Sequence, residues 1–187
     1  MDYAECKAIL SAKLTKERYK HSLSVSSTAE RLAKHFGVSS EKARLAGLLH
    51  DCARTFQIKD LVEVAEKMQI PVGEIERHAP ILLHANIGAE LIENQYEIHD
   101  EEIKQAIRLH TTGGMSMTKL DKIVYLADLI EPNRDFNGVD NLRELAVKNL
   151  DQALFEAFNQ SIIHMIKLNQ VVHPYTIVAR NEMLLKE

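Results

Sequence analysis

The chain has 187 residues, of which 45% are hydrophobic and 27% charged, and its formal net charge is −4 at pH 7. This length and composition are typical of one globular domain, so we expect a single domain over residues 1–187. The negative balance argues against partners such as bulk nucleic acid or a membrane surface, but it leaves room for a small phosphorylated ligand, since a bound metal can invert the local field.

No apolar run approaches the roughly 18 residues that suggest a membrane span. The amino-terminal MDYAECKAIL has no basic segment followed by an apolar one, so it does not resemble a signal peptide. These patterns favour a cytoplasmic protein without a membrane partner.

Apolar residues recur at helical spacing along most of the chain, and the few Gly and Pro residues fall between the periodic segments. The sequence predicts helices over about 16–35, 41–54, 59–69, 80–96 and 101–110, one capped by Thr118 that ends before Pro132, one that begins near Asp140, and one over about 151–169. A weak strand-like stretch covers 175–178. The predicted fold is therefore all-α.

One predicted helix is apolar on every side and yet ends in two polar residues. The stretch ARLAGLLHDCAR (43–54) has the pattern of a buried helix, and it includes His50 and Asp51. A buried carboxylate is costly unless it is paired or bound to a metal. Cys52, which follows, is a nucleophile in principle, but a small core residue is the favoured interpretation.

Similar polar residues interrupt the apolar faces of four other predicted helices. Alone, each histidine would be interpreted as a core residue bonded to a backbone carbonyl, and each aspartate as a cap or an ion-pair partner. Together they cannot easily satisfy one another without a cation. Four imidazoles and two carboxylates suit divalent iron, manganese, zinc or nickel. The six residues are His21, His50, Asp51, His84, His110 and Asp128.

The order His21, His50-Asp51, Asp128 resembles the signature of the HD-domain phosphohydrolase superfamily, and His84 and His110 resemble the subset that holds two metals. The stretches HTTGG (110–114) and ADLIEPNRDFNGVDNLR (127–143) are similar to those of the bacterial HD-type symmetrical diadenosine tetraphosphate hydrolases. The resemblance extends over nearly the whole chain.

This resemblance implies a helical bundle with a metal site in its core. It implies an enzyme that cleaves diadenosine tetraphosphate and related dinucleoside polyphosphates into two nucleoside diphosphates, with iron as the expected metal. It further implies that Asp51 bridges two metals. The first would be held by His21, His50, Asp51 and Asp128, and the second by Asp51, His84 and His110.

Two metals about 3.5–4 Å apart can share a water and lower its pKa towards 7, so that a metal-bound hydroxide attacks phosphorus and Asp51 is catalytic through the metals. Arg54 and Arg134 are the candidate catalytic phosphate-binding residues, since the guanidinium group suits phosphate. Thr111 and Thr112, with Arg134, are candidates for nucleotide binding. The alternative interpretations are solvated surface arginines and a simple helix stop.

Two departures from the family pattern are Arg54, where lysine is common, and Asn137, where proline is common. Other interpretations of the sequence are a phosphatase or phosphodiesterase that acts on a different nucleotide and a regulatory HD module that binds a nucleotide without turnover. The sequence leaves a homodimer open.

Overall fold

The computed structural model describes residues 1–185, which contain eleven α-helices, three short 3-10 helices and no β-strand. The predicted all-α class is confirmed. The 3-10 helices cover Cys52–Thr55, Ile58–Asp60 and Pro80–Leu82. The α-helices are α1 (Tyr3–Lys13), α2 (Lys16–Phe36), α3 (Ser40–Leu49), α4 (Leu61–Lys67), α5 (Glu74–His78), α6 (Leu83–Tyr96), α7 (Glu101–Leu109), α8 (Lys119–Ile130), α9 (Val139–Lys148), α10 (Leu150–Lys167) and α11 (Pro174–Leu185).

Five helices form the centre of the molecule. Helix α2 packs against α3 and α8, and α7 packs against α3, α6 and α8. Helix α10 packs on the outer side of α8 and carries α9 and α11. Each helix in the central group carries a side chain of the site described below, either within the helix or at the residue that follows it. Among residues 1–185, no helix has both the length and the apolar content needed to cross a bilayer.

The prediction of a weak strand at 175–178 is wrong, because these residues lie inside helix α11. Its β-branched residues favoured a strand locally, but Thr176 and Ala179 are three residues apart and both are buried. Tertiary packing of that face overrides the local preference. Helices α1 and α5 were not predicted, and α1 buries only Cys6 and Leu10 among its eleven residues.

The helix predicted over 41–54 is shorter than expected. Helix α3 ends at Leu49, and Asp51 leaves helical geometry at φ −102° and ψ 16° before the chain continues as a 3-10 turn. Adjacent side chains do not face each other in a regular α-helix. The change of backbone geometry allows His50 and Asp51 to reach one centre.

Gly47 sets the close approach of α3 to α2. A Cβ atom at this position would lie 3.0 Å from the Ser26 Cα atom and 3.1 Å from the Val25 carbonyl oxygen. Both atoms belong to the backbone of α2 and cannot move independently of that helix. The carbonyl of Gly47 also accepts a hydrogen bond from His50, so this contact connects the helix packing to the site.

Replacement of Gly47 by alanine is therefore expected to destabilise the protein by about 1–3 kcal/mol through overpacking, although glycine-to-alanine changes in helices normally stabilise. Gly88→Ala is the matched control, because its added Cβ would lie 3.4 Å or more from its neighbours. Thermal unfolding of both variants checks this. A Gly47→Ala protein as stable as Gly88→Ala would contradict the packing argument.

Candidate metal centre

The structure brings the six sequence-predicted histidines and aspartates into one cluster. Four of them are almost fully buried, at 0–6% exposure, and His21 and Asp128 are partly buried. Three overlapping groups each have ligand atoms within 4.8 Å of one another. These groups are His21, His50 and Asp51; His50, His110 and Asp128; and Asp51, His84 and His110.

One side of the cluster joins α2, α3 and α8. The Nε2 atom of His21 lies 2.9 Å from Oδ1 of Asp128, and Nε2 of His50 lies 3.7 Å from the same oxygen. Oδ2 of Asp51 lies 3.5 Å from His50 Nε2 and 4.0 Å from His21 Nε2. Two imidazoles and two carboxylates therefore face a common point.

The other side joins α6 and α7. Oδ1 of Asp51 lies 3.2 Å from Nε2 of His84, which lies 3.0 Å from Nε2 of His110. The Thr111 hydroxyl lies within 3.3 Å of both imidazole nitrogens. The two oxygens of Asp51 thus point to two different pairs of histidines, which is the arrangement that a bridging carboxylate needs.

Three of the histidines are oriented in the same way. Each places Nδ1 against the backbone carbonyl three residues earlier, at 2.5–2.8 Å. A carbonyl only accepts hydrogen bonds, so Nδ1 carries the proton and Nε2 presents a lone pair to the cluster. Backbone carbonyls commonly orient metal-binding histidines in this way. The pairs are His50 with Gly47, His84 with Ile81, and His110 with Ile107.

The lone pairs that result need a cation. With both Nδ1 atoms protonated, the Nε2 atoms of His84 and His110 present lone pairs to each other at 3.0 Å, which is repulsive unless a positive charge lies near them. The Nε2 atom of His50 is buried without a hydrogen-bond partner. Buried polar groups are normally satisfied, so this donor set fits a divalent metal ion.

Electrostatics keep Asp51 and His110 in the protonation states that metal binding requires. Burial raises the pKa of Asp51, but the adjacent imidazoles of His50 and His84 lower it more, so it lies well below its usual range. Burial and the neighbouring imidazoles of His50 and His84 lower the pKa of His110 to about 3. At neutral pH, Asp51 is therefore ionised and His110 is neutral.

Glu131 is a site residue that the sequence analysis missed. Its carboxylate is 2% exposed and lies 3.2 Å from Nδ1 of His21, where it replaces the backbone carbonyl used by the other histidines. Burial lowers the pKa of His21, but the hydrogen bond to Asp128 and the Asp128 charge outweigh it, and the pKa is raised. The signal that could have identified Glu131 is its position three residues after Asp128.

Three arginines surround the mouth of the cluster, in a cleft of about 230 Å³. Arg134 donates to Asp128 Oδ1 at 2.6 Å and to the Asp128 carbonyl at 2.9 Å. Arg54 lines the cleft, and burial together with the Arg18 charge lowers its pKa.

Arg18, which the sequence analysis missed, donates to Asp51 Oδ2 at 2.7 Å. It lies three residues before His21, which is the signal that could have found it.

The two threonines are in different places. Thr111 lines the cleft, whereas the Thr112 hydroxyl donates to the Gly113 carbonyl. The Thr112 carbonyl accepts a hydrogen bond from Thr176 of α11, so this residue connects α11 to the loop and does not line the cleft.

Cys52 is a core residue. It is 2% exposed, and its Sγ atom lies 3.6 Å from the Gly88 carbonyl. Burial and the Asp51 charge raise the pKa of the Cys52 thiol to about 12, so it is protonated at neutral pH. A protonated thiol is a poor nucleophile.

Comparisons with known proteins agree with this geometry. Residues 18–133 match the HD domain family. The chain is 39% identical to the symmetrical bis(5'-nucleosyl)-tetraphosphatase of Bacillus subtilis, over 97% of each protein. It is 32% identical to the enzyme of that name from Staphylococcus aureus, over 97% of this chain and 94% of the relative.

A solved structure is also similar over the full length. It is the crystal structure of a predicted HD superfamily hydrolase involved in NAD metabolism from Clostridium acetobutylicum. The TM-score is 0.96 at 38% identity, and the match covers 100% of this chain and 99% of the other. The chain therefore belongs to the HD domain family, as the order of His21, His50-Asp51 and Asp128 predicts.

Proposed function

We propose that the protein is a metal-dependent hydrolase that cleaves diadenosine tetraphosphate and related dinucleoside polyphosphates symmetrically into two nucleoside diphosphates. The observation that carries this proposal is the convergence of four imidazoles and two carboxylates beside three arginines. The relatives named symmetrical bis(5'-nucleosyl)-tetraphosphatase support the substrate and the position of cleavage.

Two metal ions fit the donor set. His21, His50, Asp51 and Asp128 would hold the first. The second would be held by His84 and His110, with Asp51 shared between the two ions. Iron is the ion that we expect, and manganese, zinc and nickel accept the same imidazole and carboxylate ligands. When bound, such ions supply Lewis-acid polarisation of phosphoryl oxygens and activation of water at neutral pH.

The protein's own residues would bind the phosphates and orient the metal ligands. Arg54 lines the cleft without an ion pair to any carboxylate among residues 1–185, so its guanidinium is available to a phosphate. Arg18 and Arg134 orient Asp51 and Asp128 and add positive charge on two sides of the cleft. Three cations can balance much of the charge of a tetraphosphate and of its diphosphate leaving group. Glu131 would hold the ring of His21 in position.

Product analysis tests the proposal directly. Metal-reconstituted protein incubated with diadenosine tetraphosphate is expected to yield ADP as the only nucleotide product, separated by ion-exchange chromatography. Protein treated with a chelator is the control and should be inactive until a divalent metal is restored. AMP together with ATP would show asymmetrical cleavage, and bound nucleotide without turnover would indicate a regulatory module; either result contradicts the proposal.

Asp51→Ala is expected to lose metal and activity together, because both of its oxygens would be ligands. Metal content measured by elemental analysis should fall by at least one equivalent, and kcat by about a thousandfold, which corresponds to several kcal/mol of transition-state stabilisation. Asp140→Ala is the matched control, since its side chain is 87% exposed. Full metal content in Asp51→Ala would exclude the bridging role.

Arg54→Ala is expected to separate substrate binding from metal binding. Loss of a charge-assisted hydrogen bond to phosphate should raise KM for diadenosine tetraphosphate by about ten- to a hundredfold, the equivalent of roughly 1.5–3 kcal/mol. Metal content should stay at the wild-type level. Arg77→Ala, which removes a 55% exposed arginine of α5, is the control. Unchanged kinetics in Arg54→Ala would remove this residue from the site.

A further inference from the structure

Arg143 of α9 holds the turn that follows α8, which begins at Glu131 and ends at Arg134. Its guanidinium donates three hydrogen bonds to backbone carbonyls. Nε donates to Ile130 at 3.0 Å, and Nη2 donates to Glu131 at 3.0 Å and to Arg134 at 2.7 Å. The remaining nitrogen, Nη1, donates to Oδ1 of Asp140 at 2.8 Å. All three nitrogens of this guanidinium are therefore bonded within the protein.

These carbonyls lie where a helix needs outside partners. The last carbonyls of an α-helix have no partner within the helix. Ile130 is the last residue of α8, and Glu131 is its C-cap. A guanidinium provides a rigid fork of donors, and its positive charge is favourable at the negative end of the helix dipole. Arg143 thus fixes both the end of α8 and the direction in which the chain leaves it.

The turn held by Arg143 carries the groups that orient two members of the metal cluster. Arg134 donates to the carbonyl and to Oδ1 of Asp128, and the Glu131 carboxylate contacts Nδ1 of His21. Asn133 donates from its backbone nitrogen and from its side-chain nitrogen to Oε2 of Glu131, both at 2.8 Å. A displacement of the turn would therefore move the groups that position His21 and Asp128.

The turn serves one side of the cluster only. Among residues 1–185, its hydrogen bonds to the cluster reach His21 and Asp128, and none reaches His84 or His110. Those two imidazoles are oriented by backbone carbonyls of their own segments. A change at the turn is thus expected to affect one metal position and not the other, whereas a general loss of packing would affect both.

We infer that Arg143 is a positioning residue for the metal ion that His21 and Asp128 would hold. It acts through the turn after α8, because it fixes the backbone from which Glu131 and Arg134 reach those two ligands. The inference rests on the proposed function, since it concerns one of the two ions that the hydrolase would use. Its direct observable is the affinity for that ion, which is measured without substrate.

Arg143→Lys tests the inference, because it keeps the positive charge and removes the fork of donors. Metal-free wild type is expected to bind two equivalents of Mn²⁺ in equilibrium dialysis. Arg143→Lys should bind one of them about tenfold more weakly, which is the size of effect known for residues that orient metal ligands, and the other unchanged. His21→Ala should abolish the equivalent that Arg143→Lys weakens. Asp140→Ala is the matched control, since it removes only the 87% exposed partner of Arg143 and should bind Mn²⁺ as wild type does.

Three results would overturn the inference. They are unchanged Mn²⁺ binding by Arg143→Lys, equal weakening of both equivalents together with a lower Tm, and weakening of the equivalent that His84→Ala removes.

The same measurements separate this inference from the proposed function. If wild-type protein forms ADP and Arg143→Lys binds Mn²⁺ as wild type does, the positioning role fails and the function stands. If the wild type forms no ADP from diadenosine tetraphosphate but Arg143→Lys selectively weakens the equivalent that depends on His21, the function fails and the positioning role stands.

Discussion

The buried carboxylate of Asp51 is the constraint on which the rest of the structure depends. An ionised group at 3% exposure is costly unless its surroundings compensate for the lost hydration. Here His50 and His84 lower its pKa, and Arg18 donates to Oδ2 at 2.7 Å. The positive charge of bound metal ions would supply the remaining compensation for the hydration that Asp51 loses on burial.

The geometry of the backbone orients most of the side chains in the metal cluster. Helix α3 ends one residue before His50, so two adjacent side chains turn to one centre. His50, His84 and His110 repeat one local device, in which Nδ1 donates to the carbonyl three residues earlier. Because each bond is local, the orientation of the three rings depends little on distant contacts. His21 lies inside a long helix whose carbonyls are already paired, and Glu131 takes over the orienting role.

The sequence by itself determined the all-α class, most helix positions and the six residues of the cluster, because apolar periodicity is a local signal and polar residues that interrupt it are conspicuous. Tertiary structure alone decided which oxygen of Asp51 faces which histidines, that α11 is a helix, and that Arg18 and Glu131 reach the cluster. It also decided that Thr112 contacts α11 instead of lining the cleft. These outcomes depend on where separate helices meet in space. Helical periodicity assigns a residue to a face but does not define the distance between faces of helices that are far apart in the chain.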